Sequence, residues 1–124
     1  MKKLLLLLVV AFTVNATVAQ TEVGAVTLPN SVNFGGEELI LNGAGIRKKA
    51  FVLKLYSGGL YLKQKSSNAA RIINADENMA IKLHITSSFV SSDAMSEAVR
   101  EGFDASMNGN TASLSSHIDK FITF

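Results

Sequence analysis

The sequence predicts an α+β domain in which strands come first and helices follow. Apolar residues recur at every second position over 50–63 and again over 79–86, which is the spacing of a strand with one buried face. Further along the chain, apolar residues recur every four positions over 92–107, which is the spacing of an amphipathic helix. A run of strands followed by helices is typical of the α+β class.

The first residues have the pattern of an export signal. Two lysines at 2–3 precede an apolar run over 4–12, and small and polar residues follow up to Ala19. This order is typical of a secretory signal peptide. We therefore expect residues 1–19 to be cleaved after Ala19, with Ala16 as the weaker choice, and the protein to be periplasmic. The alternative is an uncleaved membrane anchor, although the apolar run is shorter than the roughly 20 residues of a membrane span; otherwise we expect membrane contact only through the signal before its cleavage.

The composition of the domain over 20–124 excludes several function classes. The chain has 12 basic and 10 acidic residues, and two of the basic ones, Lys2 and Lys3, fall in the predicted signal, so the remaining domain is formally neutral. A neutral domain gives no indication of nucleic acid binding. The chain has no cysteine, which excludes a disulfide framework, a thiolate metal site and a cysteine nucleophile. His84 and His117 are far apart and have no acidic ligand at metal spacing, so we expect neither a metal site nor a cofactor.

Alternating apolar residues and turn formers define the expected strands. They predict strands over 23–28, 32–34, 37–42, 50–63 and 79–86. Glycine and alanine at 43–45 predict a tight reversal, and a hairpin is the simplest interpretation. Gly58 and Gly59 interrupt the longest strand pattern and indicate either a bulge or a close backbone approach.

Helical spacing predicts three helices, over 66–74, 92–107 and 114–124. Asp93 is suited to cap the second helix, and residues 108–110 are suited to end it in the left-handed conformation. Ser116 and Asp119 have the spacing of a capping box in the third helix. The chain ends on an apolar stripe at 121–124 without a helix stop signal, so we expect a domain over 20–124 that is incomplete at its C-terminus.

Two segments carry the most specific information. Residues 41–47 are Leu-Asn-Gly-Ala-Gly-Ile-Arg and residues 54–62 are Lys-Leu-Tyr-Ser-Gly-Gly-Leu-Tyr-Leu; the strand over 81–85 and the helix over 92–107 follow. In this order they resemble the chalcone isomerase superfamily, most closely its exported bacterial chalcone isomerase-like branch, over roughly residues 26–124. The resemblance implies an open-faced β-sandwich, in which an antiparallel sheet has helices packed on one face.

The resemblance also implies a chemistry. Catalytic members of the superfamily close a ring within a chalcone and must stabilise negative charge on the ketone oxygen. The family arginine corresponds to Arg47, the family threonine to Tyr56, and the catalytic tyrosine and the asparagine to Met95 and Gly102. The cation is kept, while the groups that organise a water at the ketone are replaced. We therefore expect no catalytic residue.

Other members of the superfamily bind fatty acids, with an arginine and a tyrosine on the carboxylate and an apolar cleft around the tail. Arg47 and Tyr56 resemble that pair, since a guanidinium forks onto a carboxylate and a phenol adds one hydrogen bond. The resemblance thus predicts a non-catalytic domain for a small hydrophobic or carboxylate-bearing ligand, with Arg47 turned inward beneath the glycine turn. The plain alternatives are a solvated turn arginine at 47 and a packing role for Tyr56.

Two other functions stay open from the sequence. One is an intramolecular lyase of the chalcone-flavanone isomerase type. The other is an envelope interaction protein without a small-molecule ligand, in which an exposed sheet edge pairs with another chain. No sequence feature specifies an oligomeric state.

Overall fold

The computed structural model describes residues 20–123. Over this range the elements are β1 Gln20–Val23, β2 Val26–Pro29, β3 Ser31–Phe34, β4 Glu37–Lys49, β5 Leu53–Leu62, α1 Ala69–Asn74, β6 Met79–Ile85, α2 Ser92–Ser106, a 3₁₀ helix Ala112–Leu114 and α3 Ser115–Ile122. Strands dominate the first part and helices the last, so the α+β prediction is confirmed. The predicted signal over 1–19 lies outside the described residues.

The strands form two sheets. β1 and β2 make an antiparallel pair, and the order of the larger sheet is β3-β4-β5-β6. β3 and β4 are antiparallel, with Ser31 opposite Ile40 and Phe34 opposite Glu37. Gly35 and Gly36 connect them at φ values of 60° and 81°, because tight hairpins that match the twist of the strands need positive φ at both central residues.

Two turns lie elsewhere than the sequence predicts. The strand expected over 23–28 is broken at Gly24, where φ is 67° and the chain turns from β1 into β2. The reversal expected at 43–45 is wrong, because β4 continues through these residues to Lys49. The chain instead reverses at 50–52, where Ala50 and Phe51 take φ values of 50° and 62°. Glycine permits a positive φ but does not require one, so it is also compatible with an extended strand.

The chain divides into two compact units. Among the described residues, the first contains 20–45 and 58–83, and the second contains 46–57 and 84–123.

The first unit holds the main hydrophobic core. Its buried side chains are Val26, Leu28, Leu39, Leu41 and Tyr61. Tyr61 is fully buried, and its hydroxyl donates a hydrogen bond to the Pro29 carbonyl at 2.8 Å, which satisfies the polar end of the ring. Burial raises the pKa of Tyr61 above its ordinary value.

Close packing explains the glycine pair in β5. A Cβ added at Gly59 would lie 2.8 Å from Leu41 Cδ1 and 3.1 Å from Leu28 Cδ1, and one at Gly58 would lie 3.0 Å from Leu83 Cδ2. The strand is continuous at this point. The closest atoms at both glycines belong to neighbouring side chains, so the close approach is made by side chains and not, as the sequence predicts, by backbone.

α1 begins with an asparagine cap, and α2 begins with a serine cap in place of the predicted Asp93. The Asn68 side chain accepts a hydrogen bond from the Arg71 amide at 3.0 Å, so α1 begins only after residue 68. Ser91 caps α2 by accepting from the Ala94 amide at 3.2 Å, while Asp93 lies in the first turn. A serine is the better cap here because its oxygen directly precedes the helix and reaches an unpaired amide.

The second half of the second unit is a helical pair. Asn108 and Gly109 end α2 at φ values of 52° and 77°, which confirms the predicted left-handed stop. The capping box predicted at Ser116 is wrong, because α3 begins at Ser115 without a side-chain cap. Asp119 instead forms an ion pair with Arg100 at 2.7 Å.

Aromatic and aliphatic contacts hold this pair together. The rings of Phe103 and Phe121 meet edge to face, with centroids 6.2 Å apart, a geometry that aromatic quadrupoles favour. Ile118 is 5% exposed. None of the helices within residues 20–123 is both long enough and apolar enough to cross a bilayer.

Candidate functional site

The second unit contains a cleft of about 500 Å³. Its walls come from the end of β4 with the following turn, the beginning of β5, and residues 89–98 of the loop and helix that follow β6. The volume falls within the range of roughly 300–1,000 Å³ that is common for small-molecule sites.

The strand walls follow from the period of two. Arg47 and Lys49 both line the cleft and are two positions apart on β4, so they share one face of the strand. Leu53 and Leu55 have the same spacing on β5, and Tyr56 follows them as a further lining residue. This wall therefore carries two cations, a phenol and two leucines.

Backbone hydrogen bonds fix the loop on the opposite wall. The Thr86 amide donates to the Leu55 carbonyl at 3.0 Å, which attaches the loop to β5. The Phe89 amide donates to the Ser87 hydroxyl at 3.3 Å, and the Val90 amide donates to the Ser87 carbonyl at 3.2 Å. These bonds place Phe89 and Val90, both lining residues, immediately before α2.

The first half of α2 completes the apolar lining. Ala94, Met95 and Ala98 line the cleft, and their spacing places them on one side of the helix. Met95 also belongs to the predicted stripe of Met95, Val99, Phe103 and Met107, all of which are half-buried. The small alanines leave space in the cleft, and the methionine supplies an adaptable apolar contact.

The electrostatics of the cleft are one-sided. Arg47 and Lys49 are its charged groups, and Tyr56 is the remaining side chain with a polar end; none of the described lining residues carries a carboxylate or an imidazole. Such a lining attracts an anion and stabilises it by charge-assisted hydrogen bonds. The described residues contain no group of three or more histidine, aspartate or glutamate side chains that could hold a metal ion.

The position of Arg47 differs from the sequence prediction in one respect. Arg47 is exposed, and no glycine turn lies above it, because β4 runs straight through 43–45. The reason is that the reversal falls three residues after Arg47, so the guanidinium is near the end of an exposed strand. A cleft nevertheless adjoins it, and Tyr56, which is half-buried, lines the same cleft.

Other residues also differ from the sequence predictions in whether they line the cleft. Met95, which the resemblance aligns with the family tyrosine, lines the cleft, whereas Gly102, which it aligns with the family asparagine, does not. Sequence reasoning missed Lys49 and Phe89 as lining residues. The signal for Lys49 was its spacing of two from Arg47 on a strand, but Phe89 lies in an irregular loop where no periodicity could indicate it.

Comparison with protein-family models matches residues 20–124 to the family described as chalcone isomerase-like. The chain belongs to the chalcone isomerase-like family. Membership confirms the predicted chalcone isomerase-like α+β fold. Comparisons with curated proteins and with solved structures give no match.

Within this chalcone isomerase-like domain, the cleft has a limited chemical repertoire. Arg47 and Lys49 can stabilise a negative oxygen, and Tyr56 can donate one hydrogen bond to it. The described lining residues include no carboxylate or imidazole for moving a proton near neutral pH. The lining is therefore better suited to holding an anion than to general acid-base catalysis.

Proposed function

We propose that this chalcone isomerase-like domain is a non-catalytic binding protein for a small amphipathic or fatty-acid-like ligand. Arg47, with Tyr56, binds the carboxylate, and the apolar part of the cleft holds the tail. The observation that carries the proposal is that both residues line one cleft of about 500 Å³.

The composition of the lining supports this ligand class. Two cations with no opposing carboxylate favour an anionic head group, and a guanidinium with a phenol offers three donors to two carboxylate oxygens. Leu53, Leu55 and Met95 give the rest of the cleft an apolar character. An apolar pocket with a few polar groups at one place is the usual design for an amphipathic ligand.

The same lining argues against an isomerase. An isomerase would use the cation at position 47 for the developing oxyanion, but it would also require groups that organise a water at the ketone. The corresponding positions are Tyr56, Met95 and Gly102, and neither methionine nor glycine can donate a side-chain hydrogen bond.

Binding of tritiated palmitate to the purified full chain tests the proposal. A hydrogen bond to a charged group contributes about 1.5–3 kcal/mol, and Arg47 is exposed, where water weakens ion pairs. We therefore expect R47Q to weaken palmitate binding roughly tenfold, at the lower end of that range. Y56F removes a donor to the same charged carboxylate and should also weaken binding roughly tenfold.

Two controls make the result specific. R71Q removes another exposed arginine, in α1, and should leave palmitate binding unchanged. Hexadecanol lacks the carboxylate, so R47Q should not alter its binding. Equal effects of R47Q on palmitate and hexadecanol would contradict the carboxylate role, and turnover of a chalcone that R47Q abolishes would replace the binding proposal with an isomerase.

We also propose that the chain is exported to the periplasm by residues 1–19. The order of two lysines, an apolar run and small residues in the sequence supports this proposal. Intact-mass measurement of protein recovered from the periplasmic fraction of a bacterial host should show a chain beginning at Gln20. A full-length chain that stays in the membrane fraction would instead support the anchor alternative.

A second candidate function, an interaction protein, has one observation in its favour. β6 is the last strand in the order of the four-stranded sheet, and its Ile81 is 73% exposed. An exposed strand edge with apolar side chains can pair with another chain. Sedimentation velocity distinguishes the two: concentration-dependent association that I81K abolishes, without any palmitate binding, would favour this candidate.

A further inference from the structure

The turn between β4 and β5 carries an exposed apolar tip. Phe51 is 95% exposed and Val52 is 83% exposed, and Ala50 and Phe51 both have positive φ. Phe89, 74% exposed, lies in the same unit and lines the same cleft as Val52. Large apolar side chains that are this exposed are unfavourable in water, and they are stabilised when another apolar phase covers them.

Four cations surround this tip: Arg47, Lys48, Lys49 and Lys54. All four are exposed, and no acidic residue occurs anywhere over 46–57. Neither of the two ion pairs found within residues 20–123 involves any of them. The tip is therefore a locally cationic surface on a domain that is formally neutral over 20–124.

We propose that residues 47–54 form a docking tip for an anionic lipid surface. Phe51 and Val52 enter the boundary between head groups and acyl chains, while the four flanking cations contact the head groups. This inference goes beyond ligand binding in the cleft and does not depend on it.

Charge complementarity favours a lipid surface over other partners. A membrane needs only a few apolar side chains and adjacent basic residues to hold a peripheral protein. A stable protein partner requires roughly 800 Å² on each side, far more than two side chains provide. Binding to a nucleic acid would not stabilise the exposed Val52, and the domain lacks the net positive charge of a nucleic-acid-binding protein.

The position of the tip has a consequence for the cleft. Five residues belong both to the tip and to the lining of the cleft: Arg47, Lys49, Ala50, Val52 and Leu53. Docking would therefore place the anion-binding end of the cleft at the head-group layer, where an amphipathic molecule with an anionic head resides. By contrast, Lys48, Phe51 and Lys54 belong to the tip alone, which allows the two roles to be tested separately.

Tryptophan fluorescence provides a local probe, because the chain contains no tryptophan. F51W places the reporter in the tip, and I73W places it at a 79% exposed position in α1 of the first unit. Both variants are made in the full chain and mixed with vesicles of phosphatidylcholine, alone or with phosphatidylglycerol. A fraction of the lipids carries bromine on the acyl chains as a quencher.

We expect F51W to show a blue shift and bromine quenching with phosphatidylglycerol vesicles, much less with phosphatidylcholine, and a loss of both in high salt. I73W should show neither change. If the full chain bound vesicles only through residues 1–19, the F51W protein would sediment with the vesicles but its tryptophan would stay unquenched. This result would overturn the proposal.

Charge removal gives a second test that leaves the cleft lining intact. Each basic residue near an anionic lipid surface contributes roughly fivefold to partitioning. In the F51W background, K48Q with K54Q should therefore weaken vesicle binding about 25-fold, while palmitate binding in vesicle-free buffer stays unchanged. K65Q with K82Q, which removes two exposed lysines of the first unit, should change vesicle binding less than about threefold. If the two pairs of substitutions weakened vesicle binding equally, the docking tip would not be the specific contact, and the proposal would be overturned.

Discussion

Gly59 is a single position at which one methyl group decides the packing of the core. Leu41, Leu28 and Tyr61 approach the site of its absent Cβ to 2.8, 3.1 and 3.3 Å. The two leucines and the tyrosine are themselves buried, so they have little freedom to move away. An added side chain in such a place acts as overpacking.

We therefore predict that G59A destabilises the protein by about 1–3 kcal/mol. The matched control is G43A in β4, because nothing lies within 4 Å of its Cβ site and its backbone is extended. Urea unfolding followed by circular dichroism measures both. Equal midpoints for G59A and G43A would contradict the packing argument.

Glu37 is a single titrating group whose effect depends on pH. Its carboxylate pairs with Lys63 at 2.8 Å and accepts a hydrogen bond from the Asn78 side chain at 2.7 Å. The hydrogen bond from Lys63, followed by that from Asn78, holds the pKa of Glu37 below its ordinary value of 4.5. A lowered pKa in the folded state means that the ionised form stabilises the fold.

The direction of this pKa shift determines how the stability of the fold depends on pH. The stabilisation is fully present above pH 4.5 and is lost as the pH falls through the lower pKa of the folded state. Unfolding midpoints of the wild type and E37Q should therefore differ at neutral pH and converge in acid. E38Q, an exposed neighbour outside the ion pair, should run parallel to the wild type. A difference that persists unchanged into strong acid would show that the charge is not its source.

The β4–β5 hairpin is the element in which residue type and backbone conformation conflict most clearly. Its turn places Ala50 and Phe51 at positive φ, a conformation that costs an L-residue roughly 1–2 kcal/mol. Asparagine and glycine adopt it readily. We predict that A50N with F51G raises the free energy of unfolding by about 1 kcal/mol or more.

A glycine placed in an extended strand should act in the opposite direction. A44G lies within β4 and should lower the free energy of unfolding by roughly 0.5–1 kcal/mol, because glycine loses more freedom on folding. A loss of stability in the A50N and F51G variant would contradict the turn strain. The same variant removes the aromatic ring of the docking tip, so stability and vesicle binding should change in opposite directions.

The same hairpin shows what sequence patterns can and cannot predict. Period-two spacing identified β5 and β6, and the spacing of four identified α2, because these patterns report secondary structure. The buried face expected for the strand over 79–86 is wrong, since Ile81, Leu83 and Ile85 on its apolar face are exposed. The turn was missed because its positions are Ala50 and Phe51 rather than glycines, and pairing along β4 outweighed local preference. Arg47 and Tyr56 were identified through the family resemblance, whereas Phe89 depends on loop geometry that no periodicity encodes.

At the scale of the whole molecule, burial is unevenly distributed between the two units. The first unit contains the cluster of five buried hydrophobic residues and Leu62. Among the described residues of the second unit, Ile118 is the buried hydrophobic side chain, and α2 has none. Segments with few buried apolar groups open at a lower free energy than segments in a core.

Amide hydrogen exchange should reveal this difference in the full chain. We predict the strongest protection in β2, the first half of β4 and the second half of β5, and much weaker protection in α2. Saturating palmitate should add protection to residues 47–57 and 89–98, because a ligand bound only to the folded cleft stabilises it by about 2.7 kcal/mol at a hundredfold excess over Kd. R47Q, with its roughly tenfold weaker binding, should lose about half of that gain at the same palmitate concentration. Uniform protection without ligand would contradict the uneven core, and added protection confined to the first unit would place the ligand away from the cleft.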